Sequence, residues 1–121
     1  MRWLALIFFV FLSLPADAAR LHHEAWYQER WCQEMGGEAE VRLADRTRVD
    51  CLTDEYAVEA DFAGKLYQAV GQSLHYAKMT GKKPGILLIL EKPGKEQKYL
   101  DRLMGIIGYH GLGIRVWQVS P

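Results

Sequence analysis

The chain has 121 residues, and 15 Lys and Arg balance 15 Asp and Glu, so its formal charge at neutral pH is zero. A protein without excess positive charge binds nucleic acid weakly through electrostatics alone, which excludes a simple DNA-coating role. The charges are unevenly distributed: residues 19–61 carry 11 acids against 5 bases, and residues 62–121 carry 9 bases against 3 acids. The acidic residues 19–61 could therefore bind cations, and the basic residues 62–121 could bind a polyanion.

The first residues have the pattern of a secretory signal. A positive start is followed by an unbroken apolar run over residues 3–14 and by the small-residue pattern Ala16-Asp17-Ala18. The run is shorter than the about 20 residues that a membrane-spanning helix needs. We therefore expect a signal peptide over residues 1–18, cleaved after Ala18 or Ala19. The mature chain, residues 19–121, is then expected to be one exported domain, periplasmic or extracellular, without a transmembrane segment.

Apolar periodicity predicts three helices and five strands. Residues 86–90, Ile-Leu-Leu-Ile-Leu, are apolar on both faces and predict a central strand. The final strand, helix and strand imply a parallel, right-handed crossover. The predicted fold is α/β with a mixed five-stranded sheet, in which an antiparallel three-strand meander is joined to parallel crossover strands and flanked by helices, in the order αβββαβαβ. The predicted helices span 21–35, 64–79 and 95–107, and the strands span 38–43, 47–53, 56–62, 86–90 and 114–119.

Two cysteines, Cys32 and Cys51, lie in the predicted first helix and second strand. Export would place them in an oxidising compartment, where a disulfide between the helix and the strand is expected. Two buried thiols are the alternative.

The hairpin between the second and third strands brings two acids together. With a two-residue turn at Asp54 and Glu55, Asp50 lies directly opposite Glu59, with β carbons about 5 Å apart. Because like charges repel, this pair indicates either a solvated strand face or a cation site.

Three local motifs follow one another in this region. Arg48-Val49-Asp50 has the form R-x-D, Glu59 lies in the next strand, and Gln72-Ser73-Leu74-His75-Tyr76 has the form Q-x-x-x-Y on a helix. In this order, and with this succession of elements, the chain resembles the PD-(D/E)xK nuclease superfamily, with a core of the RecB and Holliday-junction-resolvase type. The resemblance implies a restriction-endonuclease-like fold.

The resemblance also implies a site. Mg²⁺ or Mn²⁺ would be bound by Asp50 and Glu59, with Asp61 as a third ligand and Glu38, or less favourably Glu29, completing the set. The lysine that normally follows the strand acid by two residues is replaced here by Asp61. The remaining residues expected at the catalytic site are Lys65, as the substitute for that lysine, and Gln72 and Tyr76, which would brace the site or contact nucleic acid.

Two functions remain open at this point. One is an exported, metal-dependent nuclease-like enzyme that hydrolyses phosphodiester bonds in nucleic acid. The other is a catalytically inactive protein of the nuclease fold with a binding or structural role in the cell envelope.

Overall fold

The computed structural model describes residues 20–121, so the expected signal peptide and its cleavage site lie outside the described residues. The predicted α/β class, with a mixed five-stranded sheet and three helices, is confirmed. Within residues 20–121, no helix has the length and apolar composition needed to cross a membrane.

The elements in chain order are α1 (Glu24–Glu34), β1 (Glu38–Arg42), β2 (Arg48–Leu52), β3 (Tyr56–Phe62), a 3₁₀ turn (Ala63–Lys65), α2 (Leu66–Thr80), β4 (Lys83–Ile89), α3 (Pro93–His110) and β5 (Arg115–Val119).

Two of the boundaries that differ from the predicted ones involve proline. β4 begins at Lys83 and includes Pro84, which is paired with Ala57 of β3. α3 begins at Pro93. In the first turn of a helix the missing N–H of proline costs no intrahelical hydrogen bond. Gly111, with φ of 61°, ends α3 in the left-handed conformation that glycine adopts without strain.

The strands lie side by side in the order β1-β2-β3-β4-β5. β1, β2 and β3 are antiparallel neighbours, whereas β3, β4 and β5 run parallel. The backbone N–H of Thr53 donates to the carbonyl of Tyr56 across 2.9 Å, which closes the turn at Asp54 and Glu55. This turn sets the register in which Cys51 lies opposite Val58.

Helices cover both faces of the sheet. Alternate residues of β4 point to opposite faces: Leu87 packs with Trp31 of α1, while Leu88 packs with Leu66 of α2 and Leu103 of α3. Covering both faces explains why the apolar run of β4 is completely buried.

A disulfide joins Cys32 of α1 to Cys51 of β2, with 5.7 Å between their α carbons. Gly37 passes directly over this bridge: a β carbon there would lie 2.6 Å from the Cys51 sulfur and 2.9 Å from the Cys32 sulfur. The bridge therefore fixes α1 against the strand that carries Asp50, and only glycine fits beside it.

Candidate functional site

β3 places two acids under α2. Glu59 and Asp61 are two residues apart in a strand, so their side chains point to the same face of the sheet. Each residue is only 5% exposed. Buried carboxyl groups are costly unless they are protonated, paired with cations or bound to metal. These two acids therefore need partners.

Asp50 of β2 meets this pair. The register of Cys51 with Val58, continued by one residue, places Asp50 across from Glu59. The Asp50 Oδ2 atom accepts the backbone N–H of Ala60 over 2.8 Å. Its backbone carbonyl accepts the Gln28 Nε2–H of α1 over 2.9 Å. Asp50 is therefore held from both β3 and α1, and its side chain lies within hydrogen-bonding reach of Glu59.

A fourth carboxyl comes from Glu24, in the first turn of α1, and lies within hydrogen-bonding reach of Asp61. No sequence motif predicted Glu24 at the site. Glu38, which was expected to complete the ligand set, pairs with Leu52 on the exposed edge of the sheet and does not line the carboxylate cavity. Glu24 precedes the buried Trp31 by seven residues, which puts both on one helix face. That spacing predicts that Glu24 faces the sheet, but its place beside Asp61 depends on how α1 lies across the sheet.

These side chains surround an open cavity of about 470 Å³, called the carboxylate cavity below. Six residues predicted for the site meet there, whereas Glu38 and its alternative Glu29 do not line the cavity. The cavity is lined by Glu24, Thr47, Arg48, Asp50, Glu59, Asp61, Lys65, Gln68, Gln72 and Tyr76.

Crowding raises the pKa values of all four carboxyl groups. Burial, together with the neighbouring charges of Asp50 and Asp61, holds the pKa of Glu59 far above its usual range, so Glu59 is protonated at neutral pH. Burial and Asp61 raise the pKa of Glu24 to about 7. Burial raises the pKa of Asp61 to about 6. Burial likewise raises the pKa of Asp50, although the Ala60 N–H opposes this shift. The acids are thus held together by shared protons.

Two cations line the carboxylate cavity. The charge of Lys65 counteracts the rise in pKa at both Asp61 and Glu24, and Arg48 does so at Asp50. Lys65 ends the 3₁₀ turn after β3, four residues beyond Asp61. The positive charge at the site therefore comes from Lys65 in the 3₁₀ turn after β3. The position two residues after Glu59 in β3 is occupied by Asp61.

The α2 helix closes the cavity with one stripe of polar residues. Tyr76 is 6% exposed, and burial with the nearby Glu59 raises its pKa to about 12. Gln72, one turn earlier on the same stripe, also lines the carboxylate cavity. Tyr76 therefore stays a neutral hydroxyl beside the carboxyl groups.

Backbone strain lies next to Asp50. Glu40 of β1 lies between the register pairs of Ala39 with Cys51 and Val41 with Val49, so it faces Asp50. Its φ of 55° is unusual for a residue other than glycine. Its charge also raises the pKa of Asp50. The edge strand thus adds negative potential beside the site.

The hydrogen bonding of Asp61 Oδ2 indicates whether the site could bind a divalent cation. Asp61 Oδ2 is buried and accepts no hydrogen bond from any donor in residues 20–121. Its nearby partners, Glu59 and Glu24, become donors only when they are protonated. Carboxylate oxygens are the ligands that Mg²⁺ and Mn²⁺ prefer, so the donor chemistry fits.

The arrangement differs from a preformed metal centre. Across residues 20–121, no group of three or more His, Cys, Asp or Glu side chains is already arranged to hold a metal ion. Because carboxyl groups bind metal in their deprotonated form, a cation that binds in the carboxylate cavity would have to displace the protons shared by the four acids.

No family model matches the chain, and the comparisons with curated proteins and with solved structures likewise find no match.

Proposed function

We propose that this protein is an exported, metal-dependent nuclease-like enzyme that hydrolyses phosphodiester bonds in nucleic acid, on a core of the PD-(D/E)xK type. The observation that carries the proposal is the buried Asp61 Oδ2 atom, which has no hydrogen-bond donor except a neighbouring acid. It lies in a cluster of two buried carboxyl groups, Glu59 and Asp61, and two half-buried ones, Asp50 and Glu24, with Lys65 at the rim. A cluster of acids in which a buried oxygen depends on a neighbouring carboxyl proton for its hydrogen bond is unfavourable for stability alone, and such sites are typical of functional centres.

The residues divide into three roles under this proposal. Asp50, Glu59, Asp61 and Glu24 would hold Mg²⁺ or Mn²⁺, which when bound supplies Lewis-acid stabilisation and lowers the pKa of water. Lys65 replaces the lysine of the strand motif, orienting the attacking water or stabilising negative charge on the phosphate. Gln72 and Tyr76 position the acids from the α2 side.

Cleavage assays test the proposal. The mature chain, incubated with labelled single- and double-stranded DNA and RNA, should cleave at least one of them with Mg²⁺ or Mn²⁺ and none in EDTA. Asp50→Asn should abolish the cleavage. The matched control is Asp54→Asn, an exposed turn residue on the same hairpin, which should retain it. Absence of cleavage with either metal on every substrate would refute the enzymatic role.

The alternative is a catalytically inactive protein of the same fold that binds a partner or has a structural role in the envelope. Asp61 at the lysine position and the absence of a preformed metal group in residues 20–121 favour it. Calorimetric titration with Mn²⁺ separates the two. Binding that is lost in Glu59→Gln supports the enzyme, whereas no binding supports the inactive protein.

A further inference from the structure

A basic surface lies at the start of α3, away from the four acids. Lys92, Lys95 and Lys98 recur at intervals of three residues and line a cavity of about 290 Å³, and Arg102 follows one turn later. Residues three and four apart on a helix are neighbours, so these cations share one side of α3. We call Lys92, Lys95, Lys98 and Arg102 the α3 basic face. The cavity also includes Arg20, Glu91, Glu96 and Tyr99.

The two acids of this cavity are occupied by internal hydrogen bonds. Glu91 accepts the Tyr27 hydroxyl over 2.7 Å and the backbone N–H groups of Leu21 and His22 over 2.9 and 3.1 Å. Glu96 accepts the Lys92 backbone N–H over 2.7 Å. Within residues 20–121, no ion pair involves a member of the α3 basic face. The four cations are therefore available to an external anion.

An aromatic ring lies among these cations. The Lys98 Nζ atom is 5.2 Å from the centre of the Tyr99 ring, and the Arg102 guanidinium carbon is 5.6 Å from it. Tyr99 is half-buried, with part of the ring packed on the core. Aromatic rings between cations are the arrangement on which unpaired bases stack while phosphates are neutralised.

Arg20 lies between the α3 basic face and the region of the carboxylate cavity. Arg20, whose guanidinium lies 3.7 Å above the Phe62 ring, lines both the α3 cavity and a neighbouring cavity of about 370 Å³. That neighbouring cavity shares four residues with the carboxylate cavity. They are Glu24, Arg48, Asp50 and Lys65. Arg20 therefore lies between the α3 cavity and the two cavities that surround the acids.

We propose that the α3 basic face binds the backbone of a single-stranded nucleic acid and directs it past Arg20 to the four carboxyl groups. The inference rests on the proposed function and specifies its substrate class. From Lys92 to Arg102 the helix rises by about 15 Å, enough to contact several consecutive phosphates. Tyr99 favours a single strand over a duplex, because paired bases cannot stack on a side chain.

Three other lysines of the basic half, Lys78, Lys82 and Lys83, lie away from the α3 basic face. Lys82 donates from Nζ to the backbone carbonyls of Thr53 and Asp54, and Lys83 pairs with Glu55, so both support the hairpin turn. Lys78 lies at the far end of α2. Lys78 and Lys83 therefore provide a control of equal charge.

Fluorescence anisotropy with a labelled oligothymidylate, measured in EDTA at several salt concentrations, tests this inference. Relative to the wild-type chain, Lys95→Ala/Lys98→Ala should bind about tenfold more weakly and reduce the slope of log K against log [salt] by about 1.4, the value for two lost phosphate contacts on a single strand. Lys78→Ala/Lys83→Ala should leave the slope unchanged. A duplex of the same length should bind more weakly than the single strand.

Equal effects of the two double variants, or preference for the duplex, would overturn the inference. Because binding is measured without metal, its failure is distinguishable from failure of the proposed function. Strand binding through Lys95 and Lys98 without any cleavage would refute the enzyme alone. Cleavage that needs Asp50 but has an unchanged KM in Lys95→Ala/Lys98→Ala would refute the α3 basic face alone.

Discussion

Asp50 accepts a hydrogen bond from the backbone N–H of Ala60 through Oδ2, over 2.8 Å. This bond holds the Asp50 side chain of β2 against β3, the strand that carries Glu59 and Asp61. This donor cannot titrate, so one oxygen of Asp50 keeps its partner at any pH. The side chain of Glu59 lies within hydrogen-bonding reach of Asp50 and Asp61, and that of Asp61 lies within reach of Glu59 and Glu24. Whether protons or a cation hold the cluster together therefore depends on pH and on metal.

Stability in EDTA should fall as the pH rises from about 5 to about 7. The pKa of Glu24 is raised from 4.5 to about 7 and that of Asp61 from 3.8 to about 6. In this window the native state binds more protons than the unfolded state, so the free energy of unfolding decreases by about 1.4 kcal/mol per pH unit for each extra proton. Urea denaturation at several pH values measures this decrease.

Glu24→Gln should make the same pH dependence shallower, since it removes one of the titrating groups. Glu29→Gln, an exposed change on the same helix, should leave it as in the wild-type chain. Saturating Mn²⁺ should also reduce the dependence, because a bound cation takes the place of the protons. Stability that is constant or increases between about pH 5 and 7 in EDTA would contradict the shared-proton description.

Lys65 should be required for cleavage and not for metal binding. Lys65→Ala removes the charge at the rim, and we expect a loss of about 10²- to 10⁴-fold in cleavage rate. The affinity for Mn²⁺ should stay equal or rise, because a cation that repels the metal is gone. Single-turnover rates and calorimetry measure the two quantities, with Lys78→Ala near the far end of α2 as the control.

Asp61→Lys in the Lys65→Ala background should recover part of the lost rate, because it restores a lysine on the strand beside Glu59. A wild-type rate in Lys65→Ala would show that Lys65 does not substitute for the strand lysine. Loss of Mn²⁺ binding in Lys65→Ala would instead indicate a structural role for this side chain.

The features that could be predicted from the sequence depend on residues close to one another in the chain. The two-residue turn at Asp54 and Glu55 determines the hairpin register, so the approach of Asp50 to Glu59 followed from counting residues. Glu24 could not be identified in this way. Its position depends on how α1 lies across the sheet, which is set by tertiary packing and by the disulfide rather than by helix periodicity.

Gly37→Ala should destabilise the protein through the disulfide that it faces. The added methyl group would lie 2.6 Å from the Cys51 sulfur, and overpacking of this kind costs about 1 to 3 kcal/mol in free energy of unfolding. In a Cys32→Ala/Cys51→Ala background, which itself costs about 2 to 5 kcal/mol, the same change should cost much less, because the sulfur atoms are gone. The control is Gly105→Ala in α3, where a β carbon meets no atom within 4 Å and a small gain in stability is expected. Urea denaturation of the four variants gives the coupling between Gly37 and the bridge, and equal costs in both backgrounds would mean that the bridge does not restrict this position.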